Sequence, residues 1–74
     1  MYHHLEGVLV EKCSSYCVLQ VGGVGYWVWI SEGTFTRLPG LGEKILMYVW
    51  LYVREDQLRL FGFLQKAERD FFEL

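Results

Sequence analysis

Positive charge is scarce in this sequence. Lys and Arg total 7 against 9 Asp and Glu, so the formal net charge is −2 and the pI is about 5.6. Proteins that bind duplex DNA strongly on their own carry clustered Lys and Arg that neutralise phosphates. The composition therefore argues against strong DNA affinity for these 74 residues by themselves.

Long apolar runs are also missing. The longest, at residues 45–53, has about half of the ~20 residues that a membrane-spanning helix needs. Residues 1–6 contain neither the basic region nor the apolar core of a secretory signal. These absences predict a protein with no transmembrane segment, located in the cytoplasm.

Residues that bind metals or form disulfides are few. The two cysteines are Cys13 and Cys17, and together with His3 and His4 they do not have the spacing of a zinc finger. We predict free, partly buried thiols, with a disulfide across a hairpin as the alternative. No Ser, Cys or carboxylate stands in a recognisable catalytic arrangement, so the sequence predicts no enzyme activity, metal or other cofactor.

Apolar and aromatic residues are abundant instead. Hydrophobic residues make up 53% of the chain and aromatic residues 18%, which excludes a disordered chain and suits one small domain. Apolar segments bounded by glycine and polar turns predict five strands, at residues 5–12, 16–21, 26–30, 45–53 and 58–63. Gly22 and Gly23 supply a tight reversal between the second and third strands. In the third strand, the two-residue side-chain period puts Tyr26, Val28 and Ile30 on one face and Trp27 and Trp29 on the other.

Five short strands favour a small barrel over a two-layer α/β fold. We expect an all-β protein, a five-stranded OB-fold barrel with a short C-terminal α-helix. Residues 31–42 are predicted to be irregular, with one helical turn. Residues 65–74 are predicted to be the helix, with Ala67, Phe71 and Leu74 packing back on the barrel.

Two adjacent carboxylates, Glu55 and Asp56, lie between the last two predicted strands and should form the tip of a hairpin. Taken alone, such a turn is ordinarily a solvated loop tip. Arg54 is predicted to pair with a neighbouring carboxylate, and the alternative is a contact with a phosphate.

Three motifs occur in one order along the chain: VGGVGY at residues 21–26, VRED at residues 53–56 and LFGF at residues 60–63. With them, the sequence resembles the N-terminal domain of RuvA, the Holliday-junction-binding subunit of the bacterial branch-migration complex, over residues 1–74. The resemblance implies a homotetramer of OB-fold domains that presents an acidic pin at the junction crossover. Glu55 and Asp56 fall at the two pin positions.

The resemblance also implies that two domains of the protein have different roles. Residues 1–64 would form the tetramerisation and junction-shaping domain, and residues 65–74 would begin a helix leading to a missing helix-hairpin-helix domain that binds most of the DNA. The chain is accordingly expected to be one domain of a longer protein.

The resemblance also implies a function and partners, which are those of the complete protein. The implied partners are four-way junction DNA, the RuvB ATPase and, through the complete protein, the RuvC resolvase. The implied role is to hold the junction open for branch migration in recombination, DNA repair and the SOS response, without catalysis by this domain.

Three tryptophans depart from the family pattern, in which Trp27, Trp29 and Trp50 are often replaced by polar residues. They are expected to pack beneath the C-terminal helix, to form a subunit interface, or to stack on bases of a single strand. The alternative function is therefore a free-standing OB-fold that binds single-stranded nucleic acid or a protein partner through its Trp-rich face.

Overall fold

The computed structural model describes residues 2–73 and the side chains of residues 2–72. The elements are β1 (His4–Lys12), β2 (Tyr16–Val21), β3 (Val24–Trp29), α1 (Glu32–Arg37), β4 (Lys44–Arg54), β5 (Gln57–Phe63) and α2 (Lys66–Glu73). The strands form a closed barrel in the order β1-β2-β3-β5-β4. The predicted fold, a five-stranded OB-fold barrel with a short C-terminal helix, is confirmed. Within residues 2–73, neither helix has the length and apolar character needed to cross a bilayer.

Antiparallel pairing holds most of the barrel together. β1 pairs with β2 on one side and with β4 on the other, and its register with β2 shifts between Leu9 and Glu11. Such a bulge bends a strand and increases its twist, which suits a strand shared by two neighbours. The barrel closes where β3 meets β5 in parallel, through the pair Trp29 and Phe61.

The barrel interior is filled by apolar side chains that alternate along the strands, as the two-residue period of a strand requires. In β3 the predicted alternation is confirmed, because Val28 is fully buried while Trp27 is 47% exposed. The buried apolar residues are Leu5, Leu9, Cys17, Leu19, Val28, Leu38, Met47, Val49 and Leu60.

The β2–β3 turn and one position of β5 that faces the core both require glycine. Gly22 and Gly23 form the β2–β3 turn with φ of 55° and 86°, so the predicted reversal is confirmed in a conformation that other residues adopt only under strain. Gly62 lies against the barrel interior, where an added Cβ would overlap Val28 Cγ1 and approach Met47 Cε to 3.0 Å. A side chain at position 62 would therefore displace the core.

The connection between β3 and β4 is more regular than predicted. It contains helix α1, whose N-terminus is capped by Ser31, with Oγ accepting a hydrogen bond from the Thr34 N–H at 3.1 Å. Thr34 is buried, and Leu38 belongs to the core cluster. The short helix thus contributes to the hydrophobic core.

Helix α2 uses a different face from the predicted one. Ala67 is exposed, Phe71 is 72% exposed, and Leu74 lies outside the described residues. Arg69 is instead only 7% exposed, and its Nη1 donates a hydrogen bond to the His3 carbonyl oxygen at 2.8 Å. The prediction was wrong because it considered apolar residues alone, whereas an arginine can bury its stem when its guanidinium finds partners.

Candidate nucleic-acid interface

The hairpin formed by β4 and β5 carries two carboxylates at its end, which we call the acidic tip. Arg54 pairs with Gln57 in register, so Glu55 and Asp56 are the two turn residues, as the sequence predicted. Both are exposed. Among the described side chains, those of residues 2–72, neither makes a hydrogen bond or an ion pair. The two negative charges are therefore open to solvent and to any molecule that approaches the hairpin.

The acidic tip stands away from the barrel. Every residue of the segment 53–59 is exposed, whereas Val49 and Leu60 on the two arms are buried. At about 3.4 Å per residue, the five steps from Val49 to Arg54 span roughly 17 Å. The carboxylates are thus carried on a projecting hairpin of extended, paired strands.

The two faces of this hairpin differ in chemistry, because opposite residues of an antiparallel pair point to the same side. Val53 and Leu58 are paired, and their exposed fractions are 63% and 70%. They continue the inward face beyond the core. Arg54 and Gln57 are the next pair and continue the outward face.

The outward face forms an open groove with a volume of about 370 Å³, which we call the basic-aromatic groove. Trp50 is its central ring, with centroids 5.6 Å from Tyr52, 6.0 Å from Phe61 and 5.2 Å from Phe72. The groove thus joins strand β4, strand β5 and helix α2. Its lining residues are Trp50, Tyr52, Arg54, Gln57, Arg59, Phe61 and Phe72.

Two arginines supply the charge of this groove. The Arg54 guanidinium carbon lies 5.2 Å from the Tyr52 ring centroid, and that of Arg59 lies 5.5 Å from the Trp29 ring centroid. Neither arginine belongs to an ion pair within the described part of the chain. The carboxylate partner predicted for Arg54 is not found among the described side chains, and the pairing stays a prediction. The residue paired with Arg54 across the hairpin is Gln57. Tyr52, two residues before Arg54 in β4, lies on the same face of the strand, so its ring is within reach of the guanidinium.

The three tryptophans lie in two environments. Trp50 contacts Phe72 of α2, so packing beneath the C-terminal helix is confirmed for this residue. Trp27 instead stacks on Tyr16 with centroids 3.7 Å apart, and Trp29 meets Trp27 edge to face. A role of any tryptophan in a subunit interface or in base stacking stays a prediction.

Arg59 is the charged residue of the groove that was not predicted from the sequence, and Tyr52, Gln57 and Phe72 were not predicted there either. The signal was present, because Tyr52 and Arg54 alternate along β4 and the register carries the same face across the turn to Gln57 and Arg59. Following the alternation through the turn places all four residues together.

Three titratable groups near the connection between β1 and β2 have shifted pKa values. Burial raises the pKa of the Cys17 thiol to about 11, while a hydrogen bond from the Ser15 backbone lowers the pKa of Cys13. Both cysteines are free. A hydrogen bond to Glu11 raises the pKa of Tyr16 to about 12. Among residues 2–73, no three His, Cys, Asp or Glu side chains converge as a metal site would require.

Comparison with known proteins connects this geometry to one family. The model of the RuvA N terminal domain matches residues 1–62. A protein of Chloroherpeton thalassium named Holliday junction branch migration complex subunit RuvA is 45% identical over 74 residues, which is 100% of this chain and 37% of that protein.

Relatives of the same name occur in other bacteria. The protein of Symbiobacterium thermophilum is 46% identical over 100% of this chain and 36% of its own length. The protein of Christiangramia forsetii is 43% identical over 100% of this chain and 38% of its own length. This chain thus spans a little over a third of these relatives. Because the family model covers most of the sequence, the chain belongs to the RuvA N-terminal domain family.

Proposed function

We propose that this chain is the tetramerising and junction-shaping domain of a RuvA-type protein, which holds a Holliday junction open for branch migration. The observation that carries the proposal is the acidic tip. Glu55 and Asp56 are exposed on a projecting hairpin, and their side chains have no hydrogen-bond or ion-pair partner among the side chains that the structure describes. Relatives named as RuvA subunits match the entire chain, which favours this function over a free-standing OB-fold.

The acidic tip would act by repulsion. In a fourfold assembly, four copies with two carboxylates each would place eight negative charges around one axis. A carboxylate and a phosphate ~6 Å apart repel by about 0.7 kcal/mol in bulk water and by about 3 kcal/mol at an effective dielectric near 20. Several such pairs would keep phosphate backbones out of the centre and spread the four arms into an open cross.

Affinity for DNA would come from elsewhere. The net charge of −2 does not support strong phosphate binding by this domain, so the longer protein would supply most of the contacts. The domain would then serve a cytoplasmic complex with junction DNA, the RuvB ATPase and the RuvC resolvase, and would perform no catalysis itself.

A chimaera tests this proposal, with the chain replacing the matching 74 residues of the Chloroherpeton thalassium relative. In the chimaera, Glu55→Gln with Asp56→Asn should close the angle between junction arms, measured by energy transfer between dyes on the arms. It should also reduce the preference for junction over duplex and change the rate of branch migration. Junction affinity should stay equal or increase, because repulsion is removed.

The matched control is Glu6→Gln with Glu32→Gln, which changes the net charge equally at exposed positions away from the hairpin. We expect the control to preserve arm geometry. If the acidic-tip variant leaves arm geometry, junction preference and branch-migration rate unchanged, the steering role is wrong.

A further inference from the structure

We propose that the basic-aromatic groove binds one unpaired nucleotide of a DNA strand, with the base against the aromatic rings and the phosphate against Arg54 and Arg59. The proposal deepens the proposed function, because the nucleotide would come from the junction crossover beside the acidic tip. Binding of a single strand can nevertheless be measured without a junction.

The rings of the groove form a platform suited to a planar ligand. Trp50, Tyr52 and Phe61 are half-buried, so their edges are held by neighbours while part of each ring faces the groove. The platform consists of Trp50 and Phe61, which are close to parallel, at 30°, while Tyr52 meets them edge to face, at 63° and 83°. Stacking of a base on such a ring changes the affinity for single strands by about 5- to 150-fold and tolerates any base.

The two guanidinium groups provide the complementary charge. Arg54 and Arg59 are exposed, and neither forms an ion pair with a carboxylate among the side chains of residues 2–72. Each lies over an aromatic ring at 5.2 Å or 5.5 Å, a contact that leaves its N–H donors available to phosphate oxygens. The adjacent Glu55 and Asp56 disfavour a backbone that crosses the tip, so the phosphate would stay on the arginine side.

The combination favours a nucleotide over other anionic ligands. A volume of about 370 Å³ is within the range of small-ligand sites. An acidic peptide would use the arginines but would leave the ring faces without a planar partner. A base with its phosphate uses both halves of the groove at once.

Such a site would assist strand exchange. Branch migration requires base pairs to open and re-form at the crossover, and an unpaired base loses its stacking energy. A ring platform beside the crossover would replace part of that stacking, while the acidic tip keeps the backbones apart.

The test is a titration of the 74-residue chain with an oligothymidylate of about eight nucleotides, followed by tryptophan fluorescence. We expect quenching that is largely lost in Trp50→Phe, which keeps an aromatic ring but removes the reporter. If both arginines contact phosphates, the logarithm of affinity should fall with the logarithm of salt concentration with a slope of about −1.4.

Charge-matched variants separate the groove from overall electrostatics. Arg54→Gln with Arg59→Gln should weaken binding about tenfold or more, whereas Lys44→Gln with Lys66→Gln, the same charge change away from the groove, should alter it less than about twofold. If the double arginine variant lowers the urea unfolding midpoint, Arg54→Gln alone at its exposed position gives the same test. Glu55→Gln with Asp56→Asn should not weaken oligothymidylate binding.

Three results would overturn the proposal: no quenching by the oligonucleotide, equal weakening by both charge-matched variants, or Trp50 emission that responds to protein concentration but not to oligothymidylate. The last result would make the groove a contact between copies of the chain. None of them would affect the arm-geometry test of the acidic tip, so the two proposals fail separately.

Discussion

At the scale of single residues, the arginines differ in burial and in the groups that their guanidinium groups contact. Arg69 lies on the inward face of α2 and is 7% exposed. Its guanidinium is hydrogen-bonded to the His3 carbonyl and to Asp70, and its central carbon is 5.8 Å from the Tyr48 ring centroid. Arg54 and Arg59 lie at the surface over rings. The first kind of arginine fixes structure, and the second kind is available to a ligand.

Arg69→Gln should lower the free energy of unfolding by about 2 kcal/mol, because it removes a buried charged hydrogen-bond donor that ties α2 to the N-terminal strand. Urea unfolding followed by circular dichroism measures the loss. Lys66→Gln is the control, since it removes the same charge and a contact with the same carboxylate, Asp70, at an exposed position. An equal loss in both variants would show that the buried hydrogen bonds of Arg69 contribute nothing particular.

Prediction from sequence succeeded where a local rule decides the outcome. The acidic turn, the Gly22–Gly23 reversal and the alternation in β3 all follow from side-chain period and turn chemistry. It failed for the buried face of α2, where Arg69 packs inward, because the partner of a long cation depends on which strands and helices meet. Helix α1 was predicted only as one helical turn, although Ser31 and Thr34 provide its cap.

At the scale of elements, the barrel depends on close contacts between strands. β5 passes against the interior at Gly62, where Val28 of β3 and Met47 of β4 occupy the space that a side chain would need. Motif LFGF at residues 60–63 therefore has a packing reason for its glycine, since only a residue without Cβ allows this approach.

Gly62→Ala should destabilise the domain by about 1–3 kcal/mol, because the added methyl group forces Val28 and Met47 to move in a filled core. Gly25→Ala is the matched control in a strand, where the nearest atom, Val18 Cγ1, would lie 3.4 Å from the new Cβ, an ordinary contact. Thermal unfolding of both variants tests the difference. A Gly62→Ala variant as stable as the Gly25→Ala variant would mean that Val28 and Met47 can move aside without loss of stability.

At the scale of the whole molecule, the proposed assembly brings like charges together. A tetramer that gathers four acidic tips around one axis opposes its own formation through repulsion. Salt shortens the range of that repulsion, because the Debye length falls from about 30 Å at 0.01 M to about 8 Å at 0.15 M. Subunit contacts elsewhere on the barrel must be strong enough to offset it.

Association of the 74-residue chain should therefore strengthen between about 20 mM and about 200 mM salt, measured by sedimentation velocity. Glu55→Gln with Asp56→Asn should associate more tightly at low salt and lose most of this salt dependence. Glu6→Gln with Glu32→Gln serves again as the control of equal charge, and it should retain the dependence. Identical sedimentation of both variants would indicate that the acidic tips do not meet in the assembly.

The alternation of side chains along the projecting hairpin also restricts the number of residues in each of its arms. Val53 and Leu58 share one side, while Arg54 and Gln57 share the other, because successive side chains point to opposite sides. A single residue inserted into either arm would interchange the two sides on that arm, turning its arginine inward and its apolar residue outward. The number of residues between the core and the tip is thus as strict a requirement as the identity of the residues at the tip. We expect insertion or deletion of one residue to be excluded in either arm, even at positions where substitution is tolerated.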